Sequence, residues 1–67
     1  MNIGKSIKIA CATKGVKQIE LAEKLGLTPI TVSRMANNKG EAIKKEMLEL
    51  LANSFDMQVS EFIALGE

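Results

Sequence analysis

Several residue types are scarce or missing in this 67-residue sequence, and each gap excludes a class of protein. With one cysteine, Cys11, the chain cannot form an internal disulfide, and without histidine it cannot build a Cys/His zinc site. The lack of histidine also removes the commonest general base and the usual partner of a serine or cysteine nucleophile. We therefore expect no enzyme activity, no cofactor and no bound metal.

Long apolar runs and aromatic residues are also scarce. No stretch approaches the roughly 18 apolar residues that span a membrane, and residues 1–12 lack the continuous apolar region of a signal peptide. The two phenylalanines, Phe55 and Phe62, are too few to form a base-stacking platform for RNA or single strands. The sequence predicts one small cytoplasmic domain over residues 1–67, with no membrane partner.

The net charge of +1 hides an uneven distribution of charge along the chain. Residues 1–40 carry seven basic and two acidic side chains, whereas residues 41–67 carry two basic and six acidic ones. A basic first part and an acidic second part indicate that the two parts face different partners. Chance clustering of solvated charges explains the same division equally well.

Apolar periodicity and helix-ending residues predict five short helices and an all-α fold. Gly15 and Gly26 close the first two helices, the second of which covers about 17–25, because glycine adopts the left-handed conformation of a C-cap. Thr28 and Pro29 begin a third helix over Pro29–Ala36, followed by a fourth over 41–55 and a last one from Ser60. The predicted buried residues are Ile3, Ile7, Ala10, Cys11, Leu21, Ala22, Leu25, Val32, Met35, Ile43, Met47, Leu50, Leu51 and Phe55.

The second and third helices have the spacing of a helix-turn-helix motif over about 18–37. Such a motif joins two short helices by a turn of three or four residues that contains glycine. A single matching position is weak evidence, but several in register over twenty residues are strong. The matching positions are Leu21, Ala22, Leu25, Gly26, Leu27, Val32 and Met35.

Residues 18–28, QIELAEKLGLT, resemble the second helix and turn of the Cro/CI (Xre-type) helix-turn-helix regulators. The resemblance extends over about 3–64 and implies a compact five-helix, lambda-repressor-like domain. Members bind operator DNA as symmetric dimers, with the third helix in the major groove. This sequence has Cys11 and Ala36 where many relatives have an Arg–Glu pair, so both charges are lost together. Asn38 replaces the family's glycine after the third helix and also tolerates the left-handed conformation.

The resemblance places the DNA contacts on and around the third helix. Arg34 is the strongest candidate because a guanidinium can bond O6 and N7 of guanine together, although it can also contact phosphate. Pro29 has a second interpretation as a capping residue, and the polar candidates have one as ordinary surface or turn residues. The predicted base-reading residues are Thr28, Pro29, Ile30, Thr31, Ser33 and Arg34, and the predicted phosphate-contacting residues are Lys17, Gln18, Asn37 and Lys39.

These features predict a sequence-specific regulator of transcription that binds double-stranded DNA, most simply a repressor acting as a homodimer. The motif occupies nearly the whole chain, so we expect no small-molecule effector. The predicted dimer interface is a set of apolar residues in and before the last helix, namely Met57, Phe62, Ile63 and Leu65. The alternative is an antitoxin or coactivator-like module whose helix-turn-helix binds another protein, and the acidic second part favours it.

Overall fold

A computed structural model describes residues 2–40 and 42–67, and all regular secondary structure in these residues is α-helical. The predicted all-α fold with five helices is confirmed. The helices are α1 (Ile3–Lys14), α2 (Gln18–Leu25), α3 (Pro29–Ala36), α4 (Lys45–Ser54) and α5 (Val59–Ala64). The helix α1 packs against α3 and α5, while α2 packs against α3 and α4.

The start of α4 differs from the prediction, which placed it at residue 41. The helix begins at Lys45, and Lys44 precedes it in an extended conformation (φ −81°, ψ 163°) without a side-chain capping bond. Glu41 lies outside the described residues. The error has a physical cause: Ile43 continues the apolar spacing of the helix, and no Ser, Thr, Asp or Asn marks the true start.

The buried face of α4 is also rotated from the predicted one. The residues that enter the core are Leu48, Leu51, Ala52 and Phe55, at the i, i+3, i+4 and i+7 spacing of one helical face. The prediction of a buried Leu50 is wrong, since half of that side chain is exposed to solvent. At about 100° per residue, Leu50 lies on the side of α4 that faces away from these buried positions.

Four of the helices are followed by a residue in the left-handed conformation. Gly15 and Gly26 follow α1 and α2 at φ 66° and 69°, as predicted. Asn38 follows α3 at φ 56°, in agreement with its replacement of the family's glycine, and Asp56 follows α4 at φ 57°. After each, the next amide donates to a carbonyl five residues earlier, as in the 2.8 Å bond from Lys39 N to Arg34 O.

The core is built from one face of every helix and centres on Ile7, Leu21, Leu51 and the two phenylalanines. The rings of Phe55 and Phe62 stack with their centroids 6.0 Å apart. The predicted core residues of α1 are all buried. Among them, Cys11 packs as a small hydrophobic side chain, and burial raises the pKa of its thiol.

A group of hydrogen bonds ties the start of α1 to the end of α3. The Asn38 side chain accepts a bond from the Gly4 amide (2.9 Å) and donates one to Asn2 Oδ1 (2.7 Å). Asn2 Oδ1 also caps α1 by accepting from the Lys5 amide at 3.0 Å. Gly4 fits this junction because a Cβ there would lie 2.5 Å from the Ala36 carbonyl oxygen. The junction therefore fixes the carboxyl end of α3 against α1.

Within residues 2–40 and 42–67, no helix has both the length and the apolar character needed to cross a membrane.

Candidate nucleic-acid interface

The helices α2 and α3 form a helix-turn-helix whose turn is held by backbone bonds and buried contacts. Gly26 reverses the chain in the left-handed conformation, and the Leu27 amide donates to the Ala22 carbonyl at 2.9 Å. Ala22 and Val32 are buried where the two helices pack together, and Leu27 is half-buried against the core. These contacts fix the angle at which α3 leaves the turn.

The first turn of α3 presents two hydroxyl groups that bond to each other. Thr28 is the N-cap, and its Oγ1 accepts from the Thr31 amide at 3.2 Å, as the sequence predicts. The two threonine hydroxyl oxygens lie 2.9 Å apart, and both side chains are exposed. Pro29 occupies the first helical position, where its missing N–H costs no hydrogen bond.

The face of α3 opposite the core carries an exposed aliphatic side chain next to an exposed cation. Ile30 is 74% exposed, and Arg34 follows it by one helical turn on the same face. Ser33 lies between these faces and is half-buried. Since Val32, Met35 and Ala36 alone fill the core side, α3 does not need Ile30 for packing.

Arg34 folds back over the turn that follows α3. A Cβ added to Gly40 would lie 3.5 Å from a terminal nitrogen of the guanidinium, in ordinary contact. Lys39 lies in the same turn, and its amide bonds the Arg34 carbonyl. Thr31, Arg34 and Lys39 thus come together along one side of α3.

This side of α3 borders an open groove of about 830 Å³ between α3 and the first turns of α4, here named the α3–α4 groove. Its polar edge includes Thr31, Arg34, Lys39 and Lys44, and its apolar floor is formed by Met35, Ile43, Met47 and Leu50. Lys44 and Leu50 were not among the residues predicted to act at the site. The predicted start of α4 at residue 41 placed Lys44 inside the helix. In the structure, Lys44 precedes the helix in an extended conformation and lines the α3–α4 groove together with Arg34.

The other predicted phosphate contacts lie at helix ends. Lys17 is the N-cap of α2, with its amide bonded to Glu20 Oε1 at 3.0 Å, and Gln18 is half-buried in the first helical position. Asn37 caps the end of α3 by donating from Nδ2 to the Ser33 carbonyl at 2.9 Å, which leaves its second amide proton available. Neither Lys17 nor Gln18 lines the α3–α4 groove.

The predicted dimer interface needs one correction. Phe62 is completely buried within the single chain, where it stacks on Phe55, so its ring has no surface to offer a second copy. Met57, Ile63 and Leu65 are half-buried and pack against the core from its edge. The helical spacing of α5 could not separate these positions, because a six-residue helix has too few turns to define one apolar face.

Among the residues that the structure describes, no group of three or more His, Cys, Asp or Glu side chains is placed to hold a metal ion.

The comparison with protein families agrees with this geometry. The family model of the Cro/C1-type HTH DNA-binding domain matches residues 6–66, which is nearly the whole chain. Separate comparisons with curated proteins and with solved structures found no significant match. The matched region contains the complete helix-turn-helix and the groove beside it. The chain therefore belongs to the Cro/C1-type helix-turn-helix DNA-binding domain family.

Proposed function

We propose that this protein is a cytoplasmic transcriptional regulator, a repressor that binds an operator in double-stranded DNA as a homodimer and places α3 in the major groove. The observation that carries the proposal is the outward face of α3. Ile30 is largely exposed there without a role in the core, and Arg34 lies one turn away. An exposed aliphatic group suits contact with a thymine methyl, and a guanidinium suits guanine.

Phosphate contacts on both sides of α3 would set the position of the helix on the duplex. Lys39 lies beyond the carboxyl end of α3, while Lys17 and Gln18 lie at the amino end of α2, where unpaired amides favour an anion. Asn37 would donate a hydrogen bond to a phosphate oxygen from the second Nδ2 proton, which the Ser33 carbonyl does not use. Thr28, Thr31 and Ser33 flank the base-reading positions and would contribute secondary contacts.

One domain of this size makes few DNA contacts, and a homodimer would double them by reading two half-sites. One copy measures 25 × 24 × 19 Å, and two copies side by side are long enough to reach two half-sites roughly 34 Å apart, one helical turn of DNA. With Phe62 in the core, the proposed interface comprises Met57, Ile63 and Leu65 at the edge of α5. Replacing Ile63 with Glu should reduce the sedimentation coefficient of the DNA-free protein from that of a dimer to that of a monomer.

The test of the function is selection from random duplex DNA at about 0.1 M salt, with wild type and Arg34→Ala in parallel. We expect an inverted repeat, and Arg34→Ala should relax one position in each half-site by roughly 1–3 kcal/mol of discrimination. A motif that does not change would place Arg34 on phosphate. If no motif is enriched, the operator-binding proposal fails.

Two lysine variants separate phosphate contact from general charge. Lys39→Ala should weaken binding to all DNA sequences. It should also reduce the slope of log affinity against log salt concentration by about one, as expected for the loss of one phosphate contact. Lys24→Ala removes the same charge, but its ammonium bonds the Ser54 carbonyl at the end of α4, so DNA binding should be unaffected. Equal losses in both variants would show that only net charge matters.

The alternative, an interaction module that uses the helix-turn-helix to bind protein, predicts weak binding to duplex DNA with little dependence on salt.

A further inference from the structure

We infer that the α3–α4 groove is a docking site for an acidic amphipathic helix of a protein partner, and that this partner and DNA exclude each other. The inference about the groove stands on its surface alone. The exclusion of DNA rests on the proposed function, because Arg34 and Lys39 belong both to the groove and to the proposed DNA contacts.

The groove combines an apolar floor with a cationic edge. Leu50 is half exposed on its flank, and Ile43 and Met47 are partly buried in its floor, so apolar surface remains open to solvent. Flexible methionine side chains adapt to an apolar partner, and methionine and arginine are both enriched in protein interfaces. A helix lying in such a groove would use apolar residues at i, i+3, i+4 and i+7.

The charge of the edge selects the sign of the partner. Arg34, Lys39 and Lys44 line the groove, and Glu46 is the one acidic side chain among the described lining residues. Acidic residues beside the apolar stripe of a docked helix would therefore find complementary charge. DNA phosphates could use the cations but would leave Ile43, Met47 and Leu50 uncovered, so the floor favours a peptide over a nucleic acid.

The position of the α3–α4 groove beside the recognition helix explains how such a partner would act on DNA binding. The groove runs along the side of α3, and its edge includes Thr31 and Arg34 from the face proposed to enter the major groove. A helix seated there would cover Arg34 and bring its own carboxylates to the place that phosphates would occupy. Binding of the partner would thus release the protein from DNA without changing the fold.

The test uses two displayed libraries of helical peptides of about 18 residues, a length at which helices become stable in water. Both have randomised apolar residues at i, i+3, i+4 and i+7, flanked by glutamate in one library and by lysine in the other. We expect the full chain to enrich peptides from the glutamate library only. Enrichment from the lysine library, or from neither library, would overturn the inference.

Two variants locate the bound peptide on the surface. Leu50→Glu should weaken the binding of an enriched peptide by at least about tenfold, which is a loss of about 1.4 kcal/mol and is expected for a central interface residue. Ile19→Glu is the matched control, because Ile19 is a similarly exposed aliphatic residue on α2 that does not line the groove. If the peptide binds the two variants with equal affinity, it does not occupy the α3–α4 groove and the inference is wrong. Circular dichroism verifies that each variant is folded.

Two further measurements separate other occupants from this one. If the wild-type protein is a dimer and the Leu50→Glu variant is a monomer, the groove holds a second copy and the inference is wrong. If duplex DNA binds wild type but does not displace the peptide, the exclusion is wrong while the proposed function stands. If duplex DNA does not bind at all and the peptide does, the proposed function fails and the docking site stands.

Discussion

The hydrogen bonds of Asn38 join the end of the recognition helix to the start of α1, and substitution of this residue tests how strongly they stabilise the fold. Asn38 accepts from the Gly4 amide and donates to Asn2 Oδ1, at 2.9 and 2.7 Å. It also adopts the left-handed conformation at φ 56°. Alanine would lose both bonds and strain the backbone, whereas glycine would lose the bonds alone.

The magnitudes follow from these two contributions. Two hydrogen bonds at a partly exposed position contribute about 1–2 kcal/mol together. The left-handed conformation costs alanine roughly another 1 kcal/mol. We therefore expect the free energy of unfolding to fall by about 1–2 kcal/mol in Asn38→Gly and by about 2–3 kcal/mol in Asn38→Ala. Asn38→Asp should lie between wild type and glycine, because aspartate can still accept from Gly4 but cannot donate to Asn2.

The assay is urea unfolding followed by circular dichroism at helical wavelengths, since the chain lacks tryptophan and tyrosine for fluorescence. Each kcal/mol should lower the Tm by roughly 4–8 °C in a domain of this size. Asn37→Ala is the control, because Asn37 has φ −102° and makes one exposed bond within its own helix. If all four variants unfold within about 0.5 kcal/mol of wild type, the limit for ordinary surface substitutions, the reasoning is refuted.

Three further predictions test the packing. Phe62→Ala should cost roughly 3–5 kcal/mol of unfolding free energy, and the half-buried Ile63→Ala clearly less; equal losses in urea unfolding would contradict the placement of Phe62 in the core. Gly4→Ala should lower the Tm, because its Cβ would meet the Ala36 carbonyl oxygen at 2.5 Å, and a Tm at or above wild type would show that this approach is not close. Burial raises the pKa of the Cys11 thiol above its ordinary 9.0, so the unfolded state loses the proton first. The unfolding free energy should therefore fall as pH rises through and beyond 9, and this slope should be smaller in Cys11→Ala; parallel pH profiles for the two proteins would contradict it.

The helix-turn-helix was predictable because its signals are local. Thr28 caps α3 and Gly26 reverses the chain through bonds to residues within a few positions, and the fixed φ of Pro29 fits the first helical position. Such effects do not depend on what packs against the segment. The outward face of α3 follows by elimination, since Val32 and Met35 fill the buried side.

The sequence predictions were wrong where contacts between residues far apart in the sequence decide where a helix begins and which side chains are buried. The apolar spacing of Ile43 extended the predicted α4 backwards, yet Lys44 is extended and Ile43 packs against the core from the connection before the helix. Apolar identity likewise could not show that Phe62 is buried by Phe55 while Leu50 remains half exposed. The rotation of a helix about its own axis depends on its neighbours, which the sequence of that helix does not contain.

The sequence by itself determined that this chain is all-α, that about residues 18–37 form a helix-turn-helix, and that α3 presents Ile30 and Arg34 outward. Only the tertiary structure decided that Asn2 and Asn38 connect α1 to α3, that Lys44 joins Arg34 and Lys39, and that these cations border an apolar groove. The physical reason is one of range. Caps, turns and helical periodicity act over about four residues, whereas a junction or a groove arises from segments that meet only after the chain has folded.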